Sequence, residues 1–382
     1  MLQRLYVHNF RCLENFELKL GDASSSLLLG KNGSGKSTIL DVLSIFQAIG
    51  RGRSRVGNLV GLSDLNARTK STPVRLEIEV LIDKELHSYS LALELPAGFR
   101  ELRVLDEELR IDSKTIFTRK NASVKRLPKE NADPEPLFML DWHLVALPIF
   151  QDTTVKKSIE RIRNWMASIL LLQPITQNIK EIAEIADPLA LEKDTSSFTS
   201  WLLELLDLYP ASYEPIIKHV QTEIPDLSFF RFEKTGKDSR SMVIGFRKDS
   251  EELELPFSAL SDGEKCFFIC ATVLAANKNA GPILAFWDEP DNHLSIHEIE
   301  QFIAAIKRNF YQNRGQFVAT SHNQQTILCF SDDNTWILGR RSHLEPTQIR
   351  SLSELSPIRS EKGSYRPNLI ERLIQGDISP WG

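Results

Sequence analysis

The amino-acid sequence predicts an α/β fold, in which a sheet flanked by helices carries an antiparallel β meander and an inserted helical lobe. Three observations lead to this prediction. A glycine-rich loop joins a short apolar run to the start of a helix at residues 26–43. Short apolar runs at 283–287 and 317–320 each end in polar residues, and apolar residues alternate with polar ones between 73 and 119. With 382 residues and 42% hydrophobic content, the chain can bury a full core.

The glycine-rich loop, GKNGSGKST, covers residues 30–38. Its glycines, lysine and serine are spaced as in loops that present backbone N–H groups and a helix N-terminus to nucleotide phosphates. In such loops the lysine contacts the β- and γ-phosphates, and the serine hydroxyl binds Mg²⁺. The sequence therefore predicts a nucleoside triphosphate site here. Its predicted binding residues are Gly30, Asn32, Gly33, Ser34, Gly35, Lys36, Ser37 and Thr38.

Three segments in the second half of the chain carry further candidate residues. The segment LSDGEK opens an apolar helix, so Ser261 and Gly263 lie at a helix N-terminus that can bind an anion. The run ILAFW ends in Asp288 and Glu289, and the run FVATS ends in His322. Asp288 is placed to bind Mg²⁺, Glu289 to activate the attacking water and His322 to contact the γ-phosphate. The predicted catalytic residues are Lys36, Glu289 and His322, and the predicted metal ligands are Ser37 and Asp288.

Each of these segments alone has an ordinary interpretation as a polar turn or a helix cap. Their order along the chain, however, resembles that of the ABC-type ATPases: Walker A loop, signature, Walker B strand and switch histidine. The resemblance implies an ABC-type ATPase head that binds ATP and Mg²⁺. It also implies a homodimer or higher homo-oligomer, in which residues 30–38 of one subunit face Ser261 and Gly263 of another.

Two segments indicate a branch of this class. The opening Asn9-Phe10-Arg11 resembles the RecF, SMC and OLD-type ATPases, which implies that Arg11 lies near the nucleotide; a solvated arginine at a strand end is the other interpretation. The sequence EPDNHL at 289–294 resembles OLD-like and stand-alone AAA-domain ATPases of bacteria and mobile elements. Prolines interrupt the region where SMC proteins carry long coiled coils, so no such coil is predicted.

The predicted organisation has four parts. They are the N-terminal part of the ATPase domain (1–126), a mainly helical insert (127–226), the C-terminal part of the ATPase domain (227–350) and a tail (351–382). Within the insert, apolar periodicity predicts helices at 155–172, 179–186, 198–208 and 213–220. No glutamine after the phosphate loop stands out as a ligand of the attacking water, since Gln47 falls inside the first helix.

Charge is uneven along the chain. The first 130 residues have an excess of Lys and Arg, and Arg51, Arg53 and Arg55 form the densest basic patch. This patch is the candidate nucleic-acid contact, with a solvated basic loop as the alternative. Residues 131–226 have an excess of Asp and Glu and are the candidate surface for a protein partner. No long apolar stretch or signal sequence is present, so a cytoplasmic protein without a membrane contact is expected.

The resemblance implies an ATPase that dimerises on ATP and uses hydrolysis to control a separately encoded effector, for which a nuclease is a candidate. The implied setting is defence against phage or plasmids. No nuclease site is expected in this chain, because the tail lacks the clustered carboxylates of an OLD nuclease. Two alternatives stay open: a RecF-like DNA-binding ATPase in repair, and a scaffold that ATP stabilises with little turnover.

Overall fold

The computed structural model describes residues 1–66, 73–126, 135–150, 156–184 and 191–355. The strands in these ranges are β1 (Leu2–His8), β2 (Phe16–Lys19), β3 (Ser25–Leu29), β4 (Val74–Ile82), β5 (Glu85–Glu94), β6 (Arg103–Ile111), β7 (Lys114–Lys120), β8 (Ser123–Arg126), β9 (Glu135–Met139), β10 (Leu170–Leu172), β11 (Ile182–Glu184), β12 (Leu227–Lys234), β13 (Ser239–Lys248), β14 (Glu251–Pro256), β15 (Leu284–Asp288), β16 (Gln316–Thr320), β17 (Thr335–Gly339) and β18 (Gln348–Ser351). The α-helices are α1 (Lys36–Gly50), α2 (Lys156–Ala167), α3 (Phe198–Leu208), α4 (Tyr213–Val220), α5 (Asp262–Asn279), α6 (Ile296–Gln312), α7 (Gln324–Leu328) and α8 (Leu352–Leu355). The mixed α/β fold class predicted from the sequence is confirmed.

The chain forms two compact units. The first unit contains Met1–Ala23, Leu28–Ile169 and Asp332–Gly382, and the second contains Ser24–Leu27 and Leu170–Ser331. No helix in the described part of the chain is both long enough and apolar enough to span a membrane.

An eight-stranded antiparallel sheet dominates the first unit. Its strand order is β2-β1-β4-β5-β6-β7-β8-β9, so the predicted meander is confirmed. In β4, buried and half-buried side chains alternate over most of the strand, as expected when one face of a sheet is covered. Phe46 of α1 meets Tyr89 of β5 edge to face, with 6.3 Å between the ring centroids. Helix α1 also packs closely on α2, because a β-carbon at Gly50 would lie only 2.5 Å from the Ala167 nitrogen.

A buried ion pair ties the meander to the segment that follows it. The Arg119 and Glu107 side chains are both fully buried and lie 3.6 Å apart. Arg119 Nε and Nη2 donate to the carbonyls of Asn121 and Asp141 at 2.6 and 2.8 Å. Glu107 accepts hydrogen bonds from the backbone N–H groups of Ala146 and Leu147 at 2.8 and 2.9 Å. The pair therefore fixes residues 141–147 against β6 and β7.

Arg119→Met is expected to lower the free energy of unfolding by about 3–5 kcal/mol, because Glu107 and several carbonyls would lose a buried cation. Arg110→Met is the matched control, since Arg110 pairs with Glu108 at 2.9 Å but keeps 55% of its side chain exposed. Its loss should cost less than about 1 kcal/mol. Chemical unfolding of both variants measures the difference. Equal stability of the two variants would contradict the structural role assigned to the buried pair.

Parallel strands form the centre of the second unit. Strands β10, β15 and β16 lie in that order, with Leu172 opposite Trp287 and Asp288 opposite Thr320. Helices α5 and α6 pack beside them, and Phe302 of α6 lies 5.6 Å from the ring of Trp287. The register brings the carboxyl ends of the three strands to one edge, where loops collect polar side chains. A second sheet has the order β11-β13-β12, with β14 also paired to β13.

Two of the four helices predicted for the insert are confirmed, at 198–208 and 213–220, as α3 and α4. The helix predicted at 155–172 was wrong in its last part: α2 ends at Ala167, and residues 170–172 form β10. The helix predicted at 179–186 was also wrong, because β11 lies there and pairs with β13. Short apolar runs fit a helix or a buried strand equally well, and in both cases strand pairing decides.

Candidate functional site

The phosphate loop lies in the first unit, between β3 and α1, as the sequence predicted. Glycine is required at both of its ends. A β-carbon at Gly30 would lie 2.5 Å from the Leu338 carbonyl oxygen, which is closer than real contacts allow. Gly35 has φ +104°, a left-handed conformation that L side chains rarely adopt, and α1 begins directly after it. The loop therefore turns tightly and enters the helix directly after Gly35.

The polar groups of the loop suit an anion. The Lys36 side chain is buried, and its Nζ donates to the Gly30 carbonyl, so the ammonium is held within the loop. Gly35 at the N-cap position of α1 has no side chain to cap the helix, and Ser37 is exposed in the first turn. Thr38 is buried, with its Oγ1 3.6 Å from Cys12 Sγ. The N–H groups at the start of this 15-residue helix are suited to bind phosphate.

Arg11 lies beside α1 but is held by carboxylates. Its Nη1 is 2.5 Å from Asp41 of α1, and its Nη2 is 2.8 Å from Asp64. The side chain is 42% exposed. Arg11 itself has φ +49°, so its backbone conformation is an uncommon one. A contact of Arg11 with a nucleotide stays a prediction, and Asp41 and Asp64 would compete for its charge.

Two arginines of the predicted basic patch make contacts within the protein. Arg55 forms a bidentate ion pair with Glu101, at 3.1 and 3.0 Å. Arg51 Nε donates to the Ala167 carbonyl at 3.4 Å. Arg53 is exposed. The Arg55–Glu101 pair therefore compensates one charge of the patch.

The second unit brings the carboxylate at the end of β15 together with polar groups from the two neighbouring strands. Asp288 accepts a hydrogen bond from the Thr320 hydroxyl at the end of β16. Its second oxygen accepts from the side-chain amide of Gln173, which directly follows β10, at 2.9 Å. Each neighbouring strand thus contributes one donor to Asp288, and the carboxylate is fixed in orientation.

Glu289 follows in a strained conformation. Its φ is +53°, in the left-handed region that residues other than glycine rarely occupy, and its N–H donates to the backbone and side-chain oxygens of Thr320 at 3.2 and 3.1 Å. The side chain accepts from Asn292 at 2.8 Å and lies 3.9 Å from His322 Nε2. Glu289 and His322 are 38% and 45% exposed. The backbone turn therefore presents a carboxylate and an imidazole to the surface, side by side.

A buried carboxyl group lies within this turn. Asp291 is only 9% exposed, and burial raises the pKa of its carboxyl group. Its Oδ1 has no hydrogen-bond partner in the described part of the chain. The sequence analysis gave this residue no role, because nothing in the string EPDNHL shows that the first aspartate after Pro290 is buried.

The signature segment caps α5 as predicted. Ser261 Oγ accepts from the Glu264 N–H at 3.3 Å, and Glu264 accepts from the Ser261 N–H at 2.7 Å, which is a complete capping box. A β-carbon at Gly263 would lie 3.0 Å from the His293 carbonyl oxygen, so the turn after β15 packs against the signature. The Ser261 hydroxyl still has its hydrogen to donate, since its oxygen serves as the acceptor.

Gln173 is the functional candidate that the sequence analysis missed. The run of three leucines before it was assigned to a helix, so the glutamine seemed to follow a helix end. The signal was available in the pattern: a short apolar run that ends in a polar residue, as in the strands ending at Asp288 and Thr320. Only the parallel pairing of β10 with β15 shows that Gln173 reaches Asp288.

The first unit thus has a glycine-rich loop suited to phosphates, and the second has a carboxylate pair with a histidine at the ends of parallel strands and a capped signature helix. These features define a P-loop ATPase of the ABC type. Residues 25–328 match the protein family described as "AAA domain, putative AbiEii toxin, Type IV TA system", and the chain belongs to this family. Membership in this family implies ATP binding with a divalent metal.

Three proteins illustrate these relationships. Over 45 residues, 12% of this chain, the sequence is 49% identical to the OLD nuclease of Thermus scotoductus, and the match spans only 8% of that nuclease. The SMC head bound to the C-winged helix domain of ScpA has a similar fold, with a TM-score of 0.55, 16% identity and coverage of 93% of this chain and 98% of that one. The SMC head of Pyrococcus furiosus, bound to the C-terminal domain of ScpA, gives a TM-score of 0.52 at 14% identity, with 93% and 97% coverage. The predicted membership in the RecF/SMC/OLD-like group is confirmed.

Proposed function

We propose that the phosphate loop and the residues at the ends of β10, β15 and β16 act on one ATP molecule. The observation that carries this proposal is the arrangement around Asp288. Thr320 and Gln173 each donate to this carboxylate, while Glu289 and His322 lie next to it, 3.9 Å apart. Hydrolysis of a phosphoanhydride uses a carboxylate held in a fixed orientation, a general base for the water and a hydrogen-bond donor to the phosphate. Asp288, Glu289 and His322 are suited to these three roles.

The donor set fits Mg²⁺. No group of three or more His, Cys, Asp or Glu side chains able to hold a metal occurs among the residues the structure describes. Mg²⁺ needs no such cage, because it binds phosphate oxygens and water together with one or two protein oxygens. In this proposal the Ser37 hydroxyl and the Asp288 carboxylate are those ligands. The bound ion would neutralise charge on the β- and γ-phosphates.

Each catalytic residue has a distinct role in the proposal. Lys36 binds the β- and γ-phosphates. Glu289 accepts a proton from the attacking water, and its strained backbone and the Asn292 hydrogen bond hold the carboxylate in place. His322 donates to the γ-phosphate. Gln173 orients the water and steadies Asp288. The positioning of these groups accounts for most of the rate enhancement, since phosphoryl transfer needs little covalent assistance.

ATP also drives assembly in this proposal. Ser261 and Gly263 at the start of α5 bind the γ-phosphate of the ATP held by residues 30–38 of a second copy. Because ATP then contacts both copies, it favours the closed dimer, and loss of the γ-phosphate removes that preference. The dimer controls a separately encoded effector protein in defence against phage or plasmids. The family description, which names a toxin of a toxin–antitoxin system, supports such a role.

A pull-down tests this role. Tagged Glu289→Gln protein is recovered from its native host with ATP, and tagged Lys36→Ala protein, which should not bind ATP, is the control. Recovery of a stoichiometric protein partner by the first variant alone supports effector control. Recovery of DNA with repair proteins would instead support a RecF-like ATPase, a function that the ion pair of Arg55 with Glu101 disfavours.

Gln173→Ala is expected to lower ATP turnover by about 10- to 100-fold, because the attacking water and Asp288 both lose a positioning group. ATP affinity and the unfolding temperature should change little, since Gln173 is only partly buried. Phosphate release under saturating ATP measures the effect. Gln301→Ala, on the exposed face of α6, is the matched control. Turnover at the wild-type rate in Gln173→Ala would remove Gln173 from the site.

A further inference from the structure

The hairpin of β17 and β18 contacts the phosphate loop within the first unit. The end of β17 meets the start of the loop, where the Leu338 carbonyl fills the space that a β-carbon at Gly30 would need. The start of β18 meets the other side, where Thr347 Oγ1 donates to the Ser34 carbonyl at 2.8 Å. The Thr347 N–H also donates to the Cys12 carbonyl at 2.9 Å. The connection between the two strands is therefore anchored to the phosphate loop at both ends.

One cation of this connection lies directly beside the loop. A β-carbon at Gly33 would lie 3.5 Å from Arg340 Nη2, so the guanidinium occupies the space next to the exposed tip of the phosphate loop. Gly33 has φ +78°, a left-handed backbone conformation that favours glycine at this position. The Arg340 side chain lies beside the phosphate loop while remaining accessible, since the residue is only half-buried.

The hydrogen bonding of Arg340 leaves its charge uncompensated. Its Nη2 lies 2.7 Å from His343 Nδ1, so a neutral imidazole acts as the acceptor and fixes the guanidinium. No carboxylate of the described ranges forms an ion pair with Arg340, in contrast to Arg11 and Arg55, which each bind acidic side chains. A guanidinium with a neutral partner keeps its full charge and most of its donors for an anion.

We propose that Arg340 binds the polyphosphate of the nucleotide as a second cation beside Lys36, held in position by His343. The inference rests on the proposed nucleotide site and deepens it. The two cations would bind the polyphosphate from different sides, because Lys36 is held within the loop and Arg340 lies beside Gly33. Guanidinium groups form paired hydrogen bonds to phosphate oxygens, so the contact is specific in geometry as well as in charge.

The test is equilibrium binding of AMP-PNP, ADP and AMP, each with Mg²⁺, to the full chain by calorimetry. Arg340→Gln is expected to weaken AMP-PNP binding about 10-fold, because a charge-assisted hydrogen bond is lost, while AMP binding changes less than twofold. Arg340→Lys should recover part of the affinity, since it keeps the charge and loses the paired geometry. Arg341→Ala, in the adjacent exposed residue, is the control for general charge and should match the wild type.

The outcomes separate this inference from the proposed function. If wild-type protein and Lys36→Ala bind AMP-PNP equally weakly, the nucleotide site itself is wrong. If only Lys36→Ala loses affinity and Arg340→Gln binds like the wild type, the site stands and Arg340 has no part in it. An equal loss in Arg341→Ala would also overturn the inference, because the effect would then be one of net charge. The unfolding temperature of each variant shows whether it is folded. If Arg340→Gln is unstable, the AMP-PNP affinity of Arg340→Lys decides the question instead.

Discussion

Glu289→Gln is expected to lower ATP turnover by about 100- to 1,000-fold while ATP still binds. In the proposed mechanism the substitution removes the base that accepts a proton from the attacking water, and general acid–base catalysis contributes a factor of this size. Glutamine keeps the length of the side chain and an oxygen that can accept from Asn292. Steady-state phosphate release measures the loss, and calorimetric titration with ATP measures the binding that should remain.

Glu300→Gln is the matched control, because Glu300 is an exposed carboxylate of α6 whose contact with Gln325 is long, at 3.5 Å. It should hydrolyse ATP at the wild-type rate. Glu289→Gln should also accumulate as a dimer with ATP, which sedimentation or light scattering detects. Wild-type turnover in Glu289→Gln would remove Glu289 as the base. Unchanged assembly with ATP, together with unchanged partner recovery, would favour the scaffold that ATP stabilises with little turnover.

Lys36→Ala is expected to weaken ATP binding by about 100-fold or more, and ATP turnover should disappear with it. The ammonium is buried inside the phosphate loop, so in the proposed site it would contact phosphates in a partly dehydrated setting where charge-assisted hydrogen bonds are strong. The Gly30 carbonyl would lose its donor, which costs about 1 kcal/mol of stability and leaves the fold intact. Calorimetric titration with ATP and thermal unfolding measure the two effects separately.

Lys31→Ala is the control for Lys36→Ala, since Lys31 belongs to the same loop and its side chain is exposed. Its substitution should change ATP affinity by less than about threefold, because solvent screens an exposed charge. Equal losses in the two variants would mean that the loop attracts phosphate through its overall charge. A wild-type affinity in Lys36→Ala would show that the loop does not bind the nucleotide.

Much of the candidate site could be predicted from the sequence, because its chemistry lies in short contiguous segments. The spacing of Gly30, Gly35 and Lys36 follows from backbone requirements that local sequence expresses directly. Asp288 and His322 lie at or just after the ends of short apolar runs, and the structure shows that both runs are buried strands. The capping box of Ser261 and Glu264 is likewise a local pattern, and the structure contains it.

Residues whose role depends on a distant partner could not be predicted in this way. Gln173 reaches Asp288 only because β10 pairs in parallel with β15, and a run of three leucines does not reveal that pairing. Arg55 looked available for nucleic acid until the fold placed Glu101 against it. Asp291 looked like an ordinary turn residue, although the turn that begins at Glu289 buries it.

The amino-acid sequence by itself determined the class of this protein: a P-loop ATPase, its phosphate loop and the acidic residues at the ends of two strands. It did so because these features obey local rules of backbone conformation, side-chain periodicity and helix capping. The tertiary structure alone decided which charges are compensated and which stay available. Arg11 and Arg55 pair with acids far away in the chain, whereas among the described residues Arg340 pairs with His343 and with no carboxylate. Compensation of charge depends on distances between side chains in space, and those distances exist only once strands and helices have packed.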